Sequence, residues 1–582
     1  MSLKEKYFVF GLMLAIWGAS LFIPKTITSG YHFADDHEII SFSHKLSETE
    51  TTFPSLVRTQ LIKDTNIRFR PFYYLHRIFL CSFLGNNFVL WHIYNWLLAG
   101  LTSFLLYMFA RNIGFRPLEG ALIALLPFLG EQGEIWWRLG PNETIGICML
   151  SLCLFYMGRC ALAPAVKWYD NAFFLVFAIL TTLSKESFIL CLPAIVFWYH
   201  ALKKSQNERN WMKTIADNLT ISVLLLIGFF EILFIIFFVG TANVGYAGVD
   251  IISPAHILDA AKDLIFRNGL GEAIIIGLLI SVIVSGRNRT RMLRKLGAPA
   301  ALLFIWIIPQ IVLYAKTGMS SRYLLPATIG LSVFSAYLIR SVREMGMSLL
   351  LPNRMRLVLS LVSVMLGVSF IGFGAVFLCR EQIPDGIGGH IAGGLLLGLS
   401  FLYLSVHCYR LGNGRFGFSI NNVLLFLFQI VFLFNIGMMY DEASGYALEG
   451  RYTTQLLDAI IEKSSAAAPI FIAVDPARHY ESVNAINVYL KLEGKRQNLY
   501  YLKVLTQKRY SVFDRQLLDS FDSYAKQQKL RFISTDPPSI QPRCICLLPD
   551  IDSVSQPLKR LLPVLSRYDR ETYGPYTLYA LP

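Results

Sequence analysis

Two adjacent carboxylates are the first residues in this chain that could do chemistry. They stand in Phe33-Ala34-Asp35-Asp36-His37-Glu38, just beyond an apolar stretch at residues 7–24. Neighbouring carboxylates repel, so they must be hydrogen-bonded, bound to a cation or solvated. One reading is a solvated helix N-cap; the other is a general base, or a metal ligand, held at a membrane face. More charge follows in Glu131-Gln132-Gly133-Glu134-Ile135-Trp136-Trp137-Arg138-Leu139-Gly140-Pro141-Asn142-Glu143. Tryptophans at such a place are ordinary interface anchors, but the acids and the arginine beside them are not. Ser184-Lys185-Glu186 interrupts an apolar stretch from Asn171 to Ala201, where a mutually paired Lys and Glu at a turn is the plain alternative. Lys316, Arg322 and Tyr323 share another short connection, and Arg68 and Arg70 precede Pro71. Carboxylates near cations at helix ends suit one reaction. An acid takes the proton of an acceptor hydroxyl as it attacks an anomeric carbon, while Lys and Arg stabilise a departing phosphate.

The elements that must position these residues are apolar spans. Of 582 residues, 54% are hydrophobic and only 16% charged, against about 25% charged in an ordinary globular domain. Runs long enough to cross a bilayer core lie near 7–24, 89–109, 117–130, 143–160, 172–184, 187–202, 217–240, 271–286, 298–315, 323–341, 357–379, 391–409 and 419–439. The third, fifth and sixth are short, so the expectation is 11–13 transmembrane helices. Alternate connections carry the basic residues that mark a cytoplasmic side: Lys4 and Lys6; Arg111 and Arg116; Arg159 and Lys167; Lys203, Lys204, Arg209 and Lys213; Arg287 to Lys295; Arg340 to Arg356; Arg410 and Arg415. A cytoplasmic N-terminus then puts the long first loop, 25–88, and the tail from Tyr440 on the outer side.

Residues 440–582 hold 18 Lys and Arg against 16 Asp and Glu, a net +2 of the total +14. The excess charge is therefore topological, and nucleic acid is excluded as a partner. The tail alternates strand-like runs (470–474, 499–504, 530–533, 544–548, 576–581) with helix-like ones (481–494, 512–528, 554–565), the pattern of a small α/β domain. Cys544 and Cys546 point one way on one strand and read as core. No phosphate-binding loop or dinucleotide fingerprint occurs, as expected for a donor that arrives in the membrane.

The order of these motifs resembles the GT-C class of integral-membrane glycosyltransferases. Asp35-Asp36, Arg70-Pro71, Trp91-His92-Ile93-Tyr94-Asn95, the loop 131–143, Ser184-Lys185-Glu186 and Arg322-Tyr323 with Pro326 carry the likeness, over roughly residues 1–340. It is closest to the protein O-mannosyltransferase superfamily, including the transmembrane O-mannosyltransferases with TPR repeats, although this chain has no such repeats. The resemblance implies Asp35 as catalytic base, with Asp36 beside it. It also implies Lys185, Arg322, Tyr323 and Arg70 toward the donor phosphate. Glu131, Glu134, Arg138 and Glu143 are acceptor-side candidates, and Gly140-Pro141-Asn142-Glu143 departs from the relatives' Gly-Arg-x-Asp pattern. A divalent cation is left open, with Asp36 its ligand if there is one.

The expectation is thus a polytopic α-helical membrane protein: a GT-C-like part, 1–439, and an extracytoplasmic α/β domain, 440–582. It would sit in a bacterial cytoplasmic (inner) membrane and transfer a sugar, with inversion, from a polyprenyl-phosphate donor to a glycan, lipid or protein acceptor. A transporter or flippase of lipid-linked saccharide is the alternative. Transporters, however, usually show related halves and midplane charges, and here the polar residues gather at helix ends.

Overall fold

The computed structural model describes residues 2–48, 51–66, 68–163, 165–204, 218–239, 254–317, 321–346 and 418–464. In the C-terminal part it describes 468–475, 478–494, 499–504, 529–533, 542–549 and 565–581, with a few short stretches between. Among these residues seven helices are long and apolar enough to cross a membrane: Leu3–Phe22, Phe88–Asn112, Glu143–Leu162, Leu219–Val239, Arg289–Ala315, Arg322–Glu344 and Ile420–Lys463. Pro254–Phe266 and Leu270–Ser285 meet at a bend of 74° and form an eighth if taken as one broken span. The three spans expected to be short are short: Pro117–Leu125 with a following 3-10 turn, Trp168–Thr182, and Leu192–Lys204. The spans expected at 357–379 and 391–409 lie, but for a few positions, outside the described residues.

Close approach of helices is secured by small residues and by indole donors. Trp17 Nε1 donates to Ser103 Oγ (2.9 Å) and Trp96 Nε1 to the Leu14 carbonyl (2.8 Å). A Cβ on Gly100 would sit 2.4 Å from the Leu14 side chain, so glycine there lets the first two spans touch. The residues grouped by the basic pattern meet at one end of the bundle. Arg111 pairs with Glu5 (3.0 Å), Lys295 with Glu344 (2.9 Å) and Arg343 with Glu119, while Arg340 donates to the Ile113 carbonyl (3.4 Å).

At the other end, the first loop folds into three short helices, Asp36–Ser47, Phe53–Thr65 and Pro71–Leu84. Thr52 caps the second, and proline opens the second and third in the first turn, where its missing N–H costs nothing. Ile39, Phe42, Leu56, Tyr73, Tyr74, Ile78 and Cys81 share a buried core with Trp91, Leu139 and Ile145. The loop is therefore anchored to the span Phe88–Asn112 and to the 131–143 connection.

The last span does not stop at the membrane edge. Ile420–Lys463 is one helix of 44 residues, about 66 Å at 1.5 Å per residue, and the expected boundary at 439/440 falls inside it. It leads into a six-stranded sheet in the order Arg531–Ile533, Leu499–Lys503, Ile470–Val474, Cys544–Leu547, Tyr576–Ala580, Asp569–Tyr573. The first four strands are parallel; the last two pair antiparallel. The helix Tyr480–Leu492 makes the crossover that a parallel pair requires. Cys544 and Cys546 are buried on the strand shared by both halves of the sheet, as expected. The edge strand Asp569–Tyr573 had no sequence signature, because it is largely exposed and polar. The helices expected at 512–528 and 554–565 lie largely outside the described residues. Tyr31, Phe33 and Ile40 of the first loop belong to this domain's core.

The two kinds of ion pair at the basic end should differ in worth. Glu119 is 3% exposed beside Arg343, whereas Lys295 and Glu344 are 32% and 40% exposed. Arg343→Ala leaves a carboxylate buried without its partner and is expected to cost about 3–5 kcal/mol; Lys295→Ala should cost about 0–1 kcal/mol. Thermal unfolding of the two variants in detergent, side by side with wild type, measures the contrast.

Candidate active site

The segment Ser29–Ala34 is a strap between the membrane bundle and the C-terminal domain. The Tyr31 N–H donates to Thr454 Oγ1 (2.9 Å), and its O–H donates to the Ala485 carbonyl (3.0 Å). Phe33 meets Tyr576 edge-on at 5.6 Å, and the His32 ring stacks on Tyr446 with centroids 3.5 Å apart. Gly450 has to be glycine, since a Cβ there would lie 2.3 Å from the His32 ring.

The strap ends in a strained turn. Asp35 has φ +67°, in the left-handed region that Asp enters more readily than most residues. The turn is closed by the Asp36 N–H donating to the Ala34 carbonyl (2.9 Å). It is held by Arg77, whose Nη2 donates to the Asp35 carbonyl (3.3 Å) and whose Nη1 donates to that of Leu139. Arg77 also faces Glu38 at 3.6 Å and the rings of Tyr73 and Trp91. Against this turn lies Gly140: a Cβ there would fall 2.0 Å from Asp35 Oδ2, and Tyr73 Oη donates to its carbonyl (3.0 Å). The Gly140 position is therefore a matter of space beside the Asp35 side chain.

Asp36 is differently placed. It is fully buried; Oδ2 accepts from the His32 N–H (2.9 Å), and Oδ1 has no partner among the described residues. Burial drives its carboxyl well above the usual range, with Arg77 and Arg138 only partly opposing. Among the described residues no three His, Cys, Asp or Glu side chains are grouped to hold a metal ion.

The cations gather nearby, each against an acid. Lys185 Nζ pairs with Glu143, both buried, and stands 4.1 Å from the centre of the Tyr323 ring. Glu143 thus joins Lys185, among the residues implied for the donor. Arg322 comes within 4.0 Å of Glu134, is acted on by the charges of Glu143 and Asp35, and has a buried Nε without a hydrogen bond among the described residues. Glu134 also pairs with Arg138 (3.2 Å), whose guanidinium lies 5.7 Å from the Tyr446 ring. Arg70 is brought to the Lys185 loop by a Phe72 N–H bond to the Leu183 carbonyl (3.0 Å), but it is engaged by Asp64 at 2.6 Å and by Tyr74 Oη at 3.1 Å. Arg68 lies 3.5 Å from Glu186. Glu131 stands apart, paired with Arg267 at 2.5 Å.

Arg77, Tyr73, Tyr446 and Asp64 had not been singled out from sequence. For Arg77 a signal exists: it stands with Tyr73, Tyr74, Ile78 and Cys81 on the buried stripe of an amphipathic helix. An arginine on such a stripe has to be paired.

No family model and no curated protein matches the sequence. Solved structures do match in shape. The crystal structure of ArnT from Cupriavidus metallidurans bound to undecaprenyl phosphate aligns over 100% of this chain and 98% of its own, with TM-score 0.51 and 13% identity. The apo state of the same protein aligns over 99% and 97%, with TM-score 0.52 and 14% identity. The chain has the ArnT fold. At this identity the likeness is one of architecture, and it includes the C-terminal domain as well as the bundle. The GT-C architecture anticipated from the order of motifs is the one found.

Two substitutions read the geometry directly. Gly140→Ala puts a methyl group onto the Asp35 Cβ and carboxylate and is expected to cost about 1–3 kcal/mol of thermal stability while lowering any activity that needs Asp35 at least tenfold. Asp36→Asn keeps an acceptor for the His32 N–H and removes a buried charge. Because folding raises the carboxyl's pKa, its contribution to stability is full below the unfolded value of about 4 and is lost as pH rises through the folded one. Unfolding at pH 8 should therefore show Asp36→Asn no less stable than wild type. Asp36→Ala, with that N–H left unpaired, should be about 1–3 kcal/mol less stable.

Proposed function

We propose that the protein is a glycosyltransferase that moves a sugar from a polyprenyl-phosphate carrier to an acceptor hydroxyl on the outer face of a bacterial cytoplasmic membrane. The supporting observation is the placement of Asp35. A carboxylate in a strained turn packs against Gly140, within electrostatic reach of Arg322, on which the charges of Glu143 and Tyr323 also act; Tyr323 lies under Lys185. The fold is shared with a protein whose crystal structure holds undecaprenyl phosphate. An anionic lipid headgroup needs cations at the membrane edge, and basic residues on the side opposite the basic loops need such a reason.

The chemistry follows from these positions. Asp35 accepts the proton of the acceptor hydroxyl as its oxygen attacks the anomeric carbon from the face opposite the phosphate. The bond from that carbon to the phosphate oxygen breaks, its electron pair stays on the phosphate, and the configuration inverts. Arg322 and Lys185 meet the charge that develops there. Glu143 and Glu134 hold both cations in position beforehand, so little reorganisation is left for the reaction itself. Tyr323, under Lys185, fixes the direction of the ammonium group. Arg70, engaged by Asp64, acts on the Lys185 loop rather than as a free cation.

The test uses membranes containing wild type, Asp35→Asn or Arg322→Ala, a radiolabelled polyprenyl-phosphate hexose and a cell-envelope extract. Wild type should move label out of the lipid fraction. Asp35→Asn should lower the rate by about 10²–10⁴, the usual worth of a general base, with insertion and expression unchanged. Arg322→Ala should lower it comparably. Near-normal transfer by Asp35→Asn would remove the assigned role. Lipid-linked sugar crossing the bilayer without transfer would favour a flippase.

A further inference from the structure

The C-terminal domain brings a titratable side chain of its own to this site. Glu481 stands in the first turn of the helix Tyr480–Leu492. One turn on is Ala485, whose carbonyl accepts from Tyr31 Oη, and one turn further is Tyr489, whose ring centroid is 5.0 Å from that of Tyr31. Residues four apart share a helix face, so Glu481 lies on the face turned toward the strap. The same helix packs against Asp36–Ser47. Ala485 is buried by these contacts and Tyr489 partly so, but Glu481 is exposed, and it makes no hydrogen bond or ion pair with another described residue. The charges that face it are Asp35 and Glu38 from the first loop and Arg322 and Arg138 from the bundle. Glu481 is thus a solvent-accessible carboxylate on which charges of both the first loop and the bundle act.

We propose that Glu481 is an acceptor-binding carboxylate, accepting a hydrogen bond from a hydroxyl or ammonium group next to the acceptor hydroxyl that Asp35 deprotonates. This deepens the glycosyl-transfer reading and rests on it. The donor phosphate is the wrong occupant for this corner, because Asp35, Glu38 and Glu481 give it negative character, while Arg322 and Lys185 offer a better place. A group with polar hydrogens is the right one, since a carboxylate only accepts. The distance from Glu481 to Asp35 is set by the strap, as Tyr31 is bound by Ala485 and Thr454 just four residues before Asp35. Enclosure between the two parts, then Asp35, pushes the Glu481 carboxyl up to about 7 against the pull of Arg322 and Arg138. Its acceptor-binding form is therefore lost as pH falls through neutrality.

The experiment uses the full-length protein in membranes with the labelled polyprenyl-phosphate hexose. It reads two rates: transfer to the envelope extract, and release of the hexose to water. Glu481→Gln is expected to raise the half-saturating extract concentration at least tenfold, with the maximal rate within threefold and release to water unchanged. Glu481→Asp should restore part of the loss. The wild-type half-saturation should worsen from pH 8 to pH 6, and that of Glu481→Gln should not. Unchanged half-saturation in Glu481→Gln, or an equal fall in both rates, would overturn the assignment while leaving the transferase reading intact. A wild type that transfers from none of several donors would remove both.

Discussion

The Arg77 guanidinium is the interaction on which the rest of the site depends. It is buried, and a buried cation has to be paired. Two backbone carbonyls, those of Asp35 and Leu139, one carboxylate, Glu38, and two aromatic faces do this. Those groups come from the first loop, the second loop and the span Phe88–Asn112. Satisfying one side chain thereby fixes the relative position of three elements. It also holds Asp35 in a backbone conformation that costs of order 1–3 kcal/mol, which a lone loop would relax.

The cations around the site obey the same logic. Lys185, Arg70 and Arg68 each face a carboxylate, and Glu134 is shared between Arg138 and Arg322. Taking an unpaired charge out of water costs several kcal/mol, and a partner with good geometry offsets much of it. Pairing also holds the cations still. Arg322 is the least satisfied of them, with a buried Nε and a carboxylate only at 4.0 Å. A new anion would gain most there.

The domain and the bundle are coupled by one covalent route and one set of non-covalent contacts. The 44-residue helix runs from the membrane into the sheet without a break, and the strap Ser29–Ala34 is pinned to that helix and to Tyr480–Leu492. A continuous helix transmits orientation, because its internal hydrogen bonds resist bending. The C-terminal domain is in consequence part of what positions Asp35, and a protein cut before it would lose the Thr454, Ala485 and Tyr576 contacts at once.

Most of the spans and the α/β character of the tail were legible from sequence, because burial in lipid or in a sheet demands apolar runs of set length and period. The candidate acids and bases were legible too, since charge beside such runs is costly and therefore noticeable. Five of the six strands of the tail were in place; Asp569–Tyr573 was not, because an exposed edge carries no apolar alternation. Pairing was beyond reach. That Lys185 meets Glu143 across 42 residues, that Gly140 leaves room for Asp35, and that Arg77 joins them are facts of contact between distant segments. The reason is physical: a residue's type records its own solvation, whereas its partner is chosen by how helices pack. Sequence by itself determined which charged side chains border apolar runs; only the tertiary structure decided that Arg322 and Glu481 come within electrostatic reach of Asp35.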